Sequence, residues 1–188
     1  MTEKLALYLI GQPGSGKTSV LQGALRGLAA YRVSKPLAHT VYTPTWGSEH
    51  VLGVELGFAR PPHGGTDVLA MGAQPLAEAF VHRLAAGPVL LGEGDRLANA
   101  KFFAAVMSAG FVLTVAWLDT PDEVAASRRD GRGSSQSPSW IKGRQTKVRR
   151  LAEGWSGTLL RLDGSLPLPE VIASLKATPA LLSMHAFS

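Results

Sequence analysis

One stretch near the start of the chain constrains the fold more than any other. An apolar run at residues 4–10 is followed by a glycine-rich turn and then by leucines at helical spacing. In the turn, the spacing G-x-x-x-x-G-K-[ST] of a phosphate-binding loop is formed by Gly11, Gly16, Lys17 and Thr18. A strand, such a loop and a helix in this order predict an α/β fold with a nucleotide-phosphate site after its first strand.

The chemistry of this loop assigns a role to most of its residues. Glycines let the backbone curl so that successive N–H groups face one anion, and the following helix adds its N-terminal dipole. Lys17 would reach the β- and γ-phosphates, and the hydroxyl of Thr18 would bind Mg²⁺. We therefore expect ATP and Mg²⁺ as cofactors. The residues predicted to bind the nucleotide are Gly11, Gln12, Pro13, Gly14, Ser15, Gly16, Lys17, Thr18 and Ser19.

The composition indicates one domain without disulfides. With 188 residues, 45% of them hydrophobic, the chain suits a single α/β domain over residues 1–188. The absence of cysteine excludes disulfides, thiol catalysis and zinc-thiolate sites. No apolar run is long enough to span a bilayer and no signal-peptide pattern precedes the first strand, so we expect a cytoplasmic protein with no membrane partner. The formal net charge of +5 favours a polyanionic partner.

Strands and helices alternate along the chain. Strands are predicted at residues 4–10, 39–43, 89–91, 111–118 and 158–162. Helices are predicted at residues 17–30, 74–86, 98–108, 122–129, 141–153 and 168–177. The apolar tail from residue 178 is expected either to pack or to fray. The predicted architecture is a three-layer α/β fold with a five-stranded parallel sheet, because a helix follows nearly every strand.

Two segments carry carboxylates that suit the acceptor side of a transfer reaction. Residues 44–73 are rich in Gly and Pro without a sustained period, so we predict the acceptor-binding segment there. This segment contains Asp67, which serves either as a general base or as a turn-stabilising residue. Glu93 and Asp95 follow a buried strand and are expected where Mg²⁺ and the acceptor meet, with Glu93 as a metal ligand beside Thr18.

Two neighbouring side chains have open roles. Arg96 either binds an acceptor phosphate or pairs with Asp95. His63 is either an acid–base group or an ordinary loop histidine. An alcohol must lose a proton on transfer, whereas a phosphate acceptor needs cations around it. Three nearby carboxylates therefore favour an alcohol as the acceptor, with the base left open among Asp67, Glu93 and Asp95.

A basic segment with the character of a lid lies in the last third of the chain. Residues 130–143 are rich in Gly and Ser and are flanked by cations. Such a cover suits closure on phosphates, and the alternative is a solvated basic face. A helix from about residue 141 would turn Ile141, Val148, Leu151 and Trp155 toward the core and Arg144 and Lys147 outward. Catalytic roles are predicted for Arg128 and Arg132, and substrate binding for Asp67, Arg96, Trp140, Lys142 and Arg144.

Together these motifs resemble the nucleoside and nucleotide kinase branch of P-loop proteins. The resemblance covers most of the chain: the phosphate-binding loop, the carboxylate–arginine turn at 93–96, the Leu-Asp-x-Pro strand end at 118–121 and the basic lid. A narrower likeness is to phage-encoded P-loop kinases, carried by HGGTD at 63–67, EGDRL at 93–97 and WIKGRQTK at 140–147. The resemblance implies a three-layer P-loop kinase fold with a short basic lid and an ATP-dependent phosphotransferase.

The narrower likeness also suggests an acceptor. Phage kinases of this kind include enzymes that phosphorylate 5-hydroxymethyluracil already incorporated in DNA. That base is therefore the leading candidate for the acceptor, and DNA is a suspected partner. If the protein is phage-encoded, we expect it in the host cytoplasm. The lid has no room for a separate lid domain, which argues against the specificity of adenylate kinases. A free deoxynucleoside monophosphate kinase remains an alternative, as does, from another class, a non-kinase ATPase or nucleic-acid-binding switch.

Overall fold

The computed structural model describes residues 3–58, 64–131, 133 and 135–186. The strands in these ranges are β1 (Lys4–Ile10), β2 (Ala29–Val33), β3 (His39–Thr43), β4 (Gly53–Leu56), β5 (Val89–Glu93), β6 (Phe111–Asp119) and β7 (Thr158–Asp163). The helices are α1 (Lys17–Ala24), α2 (Gln74–Arg83), α3 (Ala100–Ser108), α4 (Asp122–Asp130), α5 (Pro138–Glu153), α6 (Leu168–Lys176) and α7 (Pro179–His185). A 3₁₀ turn spans Gly65–Val68.

The described strands form one sheet in the order β2-β3-β4-β5-β1-β6-β7. β1 lies in the interior of the sheet between β5 and β6, and its Ala6 pairs in parallel with Leu90 of β5 and Leu113 of β6. Parallel pairing also joins β4 to β5 and β6 to β7, whereas β2–β3 and β3–β4 are antiparallel. The prediction of five parallel strands is therefore wrong, because the sheet has seven strands and is only mostly parallel.

Short connections explain the antiparallel edge. β2 is joined to β3 by residues 34–38 and β3 to β4 by residues 44–52. Connections of this length permit hairpins but leave no room for the crossover that a parallel pair requires. β2 begins within the residues predicted as the end of the first helix, since α1 stops at Ala24 and Gly27 adopts a φ of 102° before the strand begins. β4 lies within the segment that we predicted to lack regular structure.

Helices cover both faces of the sheet, which confirms the predicted three-layer arrangement. On one face, α2, α3 and α5 pack against Tyr8 and Ile10 of β1. On the other face, α1, α6 and α7 pack against Leu7 and Leu9. β1 is thus buried from both sides. The loop after it leaves the sheet at the carboxyl edge, between the ends of β5 and β6.

The described part of the C-terminal tail packs rather than frays. α7 places Leu181 and Met184 in the core beside β1 and β5. Across the described ranges, the helices are all too short or too polar to cross a membrane.

Candidate active site

The phosphate-binding loop lies between β1 and α1. Gly14 and Gly16 have φ values of 87° and 98°, a region that residues with side chains rarely adopt. A Cβ atom on Gly14 would lie 2.4 Å from the backbone oxygen of Ala125, so α4 packs directly on the loop. Lys17 Nζ donates to the backbone oxygens of Gly11 at 3.0 Å and Gln12 at 3.3 Å. The lysine side chain is therefore held against the loop that is predicted to bind the nucleotide phosphates.

Two adjacent arginines of α4 support this loop. Arg128 Nη1 donates to the backbone oxygen of Ser15 at 3.1 Å, and Arg129 Nη1 donates to that of Pro13 at 2.7 Å. Arg129 is buried and Arg128 is exposed. The sequence predicts a catalytic role for Arg128 and none for Arg129, because nothing local distinguishes two neighbouring arginines. Only the packing shows which one is buried under the loop.

Glu93, the last residue of β5, meets the start of α1. Thr18 Oγ1 donates to Glu93 Oε1 at 2.7 Å, and the carboxyl group is 1% exposed. Burial raises the pKa of Glu93, while the Lys17 ammonium and the hydrogen bond from Thr18 oppose this rise. The structure thus brings the two predicted metal ligands into direct contact.

The residues present fit a complex of Mg²⁺ with a nucleoside triphosphate. Mg²⁺ is usually held by one or two protein oxygens together with substrate phosphates, and Thr18 and Glu93 offer such oxygens. Ser15 Oγ is buried and has no hydrogen-bond partner in the described part of the chain, so a phosphate oxygen would satisfy it. The described residues contain no group of three or more His, Cys, Asp or Glu side chains that could hold a metal ion.

The segment predicted to bind the acceptor is anchored on the end of β5. Thr66 Oγ1 donates to the backbone oxygen of Glu93 at 2.9 Å and lies 3.0 Å from the hydroxyl of Tyr8. A Cβ atom on Gly64 would lie 2.8 Å from Thr18 Cγ2 and 3.0 Å from Glu93 Oε1. Residues 64–67 therefore pack directly on the Thr18–Glu93 pair. Thr66 was not singled out from the sequence, although it stands inside the HGGTD motif.

Asp67 holds the turn that follows β5. Its Oδ1 atom accepts hydrogen bonds from the backbone N–H of Asp95 at 2.8 Å and of Arg96 at 3.1 Å. Its Oδ2 atom accepts no hydrogen bond from the residues that the structure describes. Arg96 in turn donates to the backbone oxygen of Asp67 at 3.3 Å and contacts the sulfur of Met71, and it makes no ion pair with Asp95 within the described ranges.

Asp95 pairs with two cations of α5. Arg144 Nη1 contacts its Oδ2 atom, and Lys147 Nζ lies 2.8 Å from Oδ1 and donates to the backbone oxygen at 2.9 Å. The prediction that Arg144 and Lys147 point outward is therefore wrong. Helical spacing alone places them opposite the apolar stripe, whereas the tertiary packing sets that side of α5 beside the end of β5.

Other residues of α5 join the same region. The guanidinium of Arg144 lies 5.1 Å from the ring centroid of Trp140, which is 39% exposed. Gln145 Nε2 donates to Gln12 Oε1 at 2.7 Å and so connects the helix to the phosphate-binding loop. Lys142 is exposed. The sequence does not single out Gln145, since a polar residue on a basic helix carries no signal of its long-range partner. Arg132 and His63 lie outside the described residues.

A cavity of about 420 Å³ adjoins the phosphate-binding loop. The loop residues Gly14–Gly16 and the predicted nucleotide ligand Ser19 form one wall. Arg128 of α4 and Leu166, between β7 and α6, form others. An apolar cavity beside a phosphate site suits the nucleoside part of a triphosphate.

A second buried carboxyl group lies on β4. Glu55 is 3% exposed and accepts a hydrogen bond from the hydroxyl of Tyr42 at 2.6 Å. Burial raises the pKa of Glu55 to about 7, with Glu93 adding to the rise and the Tyr42 hydrogen bond opposing it. Glu55 was not among the predicted site residues, because its strand was not predicted.

Comparison with known proteins places this geometry in a family. The family model described as P-loop Nucleotide Kinase3 matches residues 1–166. The chain belongs to this P-loop nucleotide kinase family. Family membership makes it a P-loop phosphotransferase. No curated protein matches the chain significantly.

Solved structures of kinases share the fold of this P-loop nucleotide kinase at low sequence identity. A sugar kinase from Janibacter sp. HTCC2649 has a TM-score of 0.54 at 16% identity, covering 95% of this chain and 98% of its own. A gluconokinase from Sinorhizobium meliloti 1021 has a TM-score of 0.51 at 16% identity, covering 99% and 94%. A deoxyadenosine kinase from M. mycoides has a TM-score of 0.48 at 9% identity, covering 91% and 96%. The first two show that the α/β P-loop kinase fold extends over nearly the whole chain.

Proposed function

We propose that this kinase transfers the γ-phosphate of ATP to a hydroxyl group on a nucleotide or DNA base, and specifically to 5-hydroxymethyluracil in DNA. The observation that carries the proposal is the pair of carboxylates, Asp67 and Asp95, at the same strand end as the Thr18–Glu93 pair. A hydroxyl acceptor bound there would have a base on one side and the phosphate-binding loop on the other. The HGGTD, EGDRL and WIKGRQTK motifs support the specific acceptor through their resemblance to phage kinases.

Asp67 is the better placed of the two candidate bases. Both carboxylate oxygens of Asp95 are engaged by Arg144 and Lys147, so its charge is already compensated. The hydrogen bonds of Asp67 fix its Oδ1 atom and orient the carboxylate, while Oδ2 accepts none from the described residues. We assign Oδ2 of Asp67 as the proton acceptor and Asp95 as the residue that positions the cations of α5.

The transfer then needs one proton movement and one displacement. Asp67 takes the proton of the acceptor hydroxyl as its oxygen attacks the γ-phosphorus. The bond from the γ-phosphorus to the bridging oxygen breaks, ADP leaves, and the proton passes from Asp67 to solvent. Mg²⁺ held near Thr18 and Glu93 would neutralise charge on the β- and γ-phosphates. Lys17 and Arg128 contact the phosphate-binding loop and would supply further positive charge around the transferred group.

A free deoxynucleoside monophosphate is the second candidate acceptor. Arg144 and Lys147 lie together beside Asp95, and cations of this kind also suit an acceptor that already carries a phosphate. The predicted lid supports either kinase over a simple ATPase, because a cover that excludes water protects the phosphate from hydrolysis.

The test is a transfer assay with ATP labelled at the γ-phosphate. Parallel reactions contain hydroxymethylated DNA, plain DNA of the same sequence, free nucleosides and free nucleotides. We expect label on hydroxymethylated DNA alone, and none with the Lys17→Ala variant. Label on free deoxynucleotides would instead establish the second candidate, and labelled inorganic phosphate without any labelled acceptor would contradict both.

A further inference from the structure

An open groove of about 640 Å³ runs between the start of α3 and one face of α5. Ala98 and Ala100 form the wall at α3. Lys142, Lys147 and Arg150 lie on the wall formed by α5, and none of the described residues that line the groove is acidic. Such a surface selects an anionic ligand, because its charges have one sign and face a common space.

The cations of the groove form a row rather than a cluster. Lys142 and Arg150 are separated by eight residues of one helix, or about 12 Å along its axis. Within the described ranges, neither Lys142 nor Arg150 pairs with a carboxylate. One phosphate group is too small to contact both ends of this row. Successive phosphates of a polynucleotide match it better, since they repeat the same charge along a chain.

The groove is continuous with the candidate active site. Lys147 lines the groove and also contacts Asp95, so the groove begins where the acceptor side of the active site ends. Trp140 lies next to the lining residue Ser139 and is partly exposed, with Arg144 against its ring. An exposed aromatic side chain beside a row of cations is the combination that binds single-stranded nucleic acid through stacking and backbone contacts.

We infer that the groove between α3 and α5 binds the phosphodiester backbone of a polynucleotide, so that the acceptor base reaches the active site as part of a strand. This inference rests on the proposed function and deepens it. A single-stranded or flipped-out nucleotide is required, because a base stacked inside a duplex could not reach the γ-phosphate. Neighbouring phosphates on one side of the acceptor would then lie along Lys147, Lys142 and Arg150.

Binding of a fluorescently labelled single-stranded DNA oligonucleotide, measured by anisotropy without ATP, tests the groove directly. Arg150→Gln removes a cation that lines the groove, and Arg149→Gln removes the neighbouring exposed arginine, which does not line it. Both variants change the net charge equally. We expect Arg150→Gln to lower the affinity by about threefold to tenfold and the salt slope of log K by about 0.7, with little effect of Arg149→Gln.

Gly143 offers a second, independent pair of variants. It lines the groove within α5, and a Cβ atom added there would meet nothing within 4 Å, so the Cβ has space without repacking. Gly143→Glu places a negative charge in the groove and should weaken DNA binding by about tenfold or more, whereas Gly143→Ala should not. Equal losses for Arg149→Gln and Arg150→Gln, or unchanged binding by Gly143→Glu, would overturn the inference.

The same variants separate the groove from the proposed reaction. If Gly143→Glu raises the KM for hydroxymethylated oligonucleotides and leaves the KM for ATP unchanged, the groove serves the acceptor strand. If DNA binds through the groove but no acceptor is phosphorylated, the proposed function is wrong and the inference that the groove binds a polynucleotide holds. If hydroxymethylated DNA is phosphorylated with a KM that no groove variant changes, the proposed function stands and the groove inference fails.

Discussion

The Oδ1 atom of Asp67 accepts a hydrogen bond from the backbone N–H of Asp95 at 2.8 Å. This bond joins two segments that are far apart in the chain, the 3₁₀ turn at Gly65–Val68 and the turn after β5. It also brings together two residues whose carboxylates have different surroundings. Asp95 is paired with cations of α5, while Asp67 is bonded to backbone N–H groups. The difference between these surroundings leads to the first prediction.

Asp67→Asn should lower kcat by about a hundredfold or more, because the amide cannot accept the proton of the acceptor hydroxyl. The KM for ATP should stay unchanged, since the base acts on the acceptor. Asn keeps an oxygen for the bonds from Asp95 and Arg96, so the turn should remain folded. Asp67→Ala should cost about 1–3 kcal/mol of unfolding free energy in addition, because it leaves two backbone N–H groups without their acceptor.

Steady-state kinetics measure the loss of kcat, and chemical denaturation measures the loss of stability. Both are applied to Asp67→Asn, to Asp67→Ala and, for comparison, to Asp95→Asn. Asp95→Asn should raise the acceptor KM more than it lowers kcat, because it releases Arg144 and Lys147 from their carboxylate. The reverse outcome, a normal kcat for Asp67→Asn and a collapsed kcat for Asp95→Asn, would transfer the role of base to Asp95. Small and equal losses in both would favour a phosphate acceptor.

Lys17→Ala should reduce kcat by roughly a hundredfold or more, because the ammonium that would stabilise charge on the transferred phosphate is removed. The fold should persist, since within the described ranges the side chain donates hydrogen bonds to loop carbonyls alone. Lys101→Ala is a matched control: Lys101 is 74% exposed and its only ion pair within the described ranges is with Glu78. A near-normal turnover in Lys17→Ala would contradict the assignment of the loop as the phosphate site.

Gly64→Ala should impair the site without straining the backbone. Gly64 has an extended conformation with φ −149°, but its new methyl group would meet Thr18 Cγ2 at 2.8 Å and Glu93 Oε1 at 3.0 Å. A displacement of this pair by a few tenths of an ångström to one ångström should lower kcat by up to about a hundredfold. Gly72→Ala is the control, because a Cβ there meets nothing within 4 Å. Equal activities for the two variants would mean that the Thr18–Glu93 contact is not needed for turnover.

The buried carboxyl group of Glu55 should make the fold less stable as pH rises. Its pKa in the folded protein is about 7, above the ordinary value of 4.5, so between these values the folded state holds a proton that the unfolded chain has released. The contribution is therefore fully present below about pH 4.5 and is lost as pH rises through about 7. The total change in unfolding free energy from this group is on the order of 3 kcal/mol.

Glu55→Gln should remove this part of the pH dependence, because Gln has no proton to release and keeps an oxygen for the hydroxyl of Tyr42. Chemical denaturation at pH 5 and pH 8 measures it, with Glu49→Gln, at an exposed position, as the control. We expect Glu55→Gln to gain stability over the parent protein at pH 8 but not at pH 5. The same slope in Glu55→Gln and the parent would show that another group, such as Glu93, carries the dependence.

Much of the central architecture could be predicted because its signals are local. The strand of residues 4–10 was predicted with the bounds that it has in the structure. The alternation of strands and helices likewise predicted helices on both faces, since unalternating apolar strands must be covered on both sides. The two antiparallel edge pairings were missed: β2 begins inside the residues predicted as helix, and β4 is only four residues long.

The sequence by itself determined the phosphate-binding loop, because eight consecutive residues contain the glycines, lysine and threonine that such a loop needs. It also indicated which carboxylates are candidates for the general base and the metal ligand. Only the tertiary structure decided their surroundings: Asp67 against backbone N–H groups, Asp95 against Arg144 and Lys147, and Glu93 against Thr18. These partners lie 28 to 75 residues apart in the chain, and such contacts depend on how helices and strands pack. A single sequence encodes that packing through the whole core rather than through any local pattern.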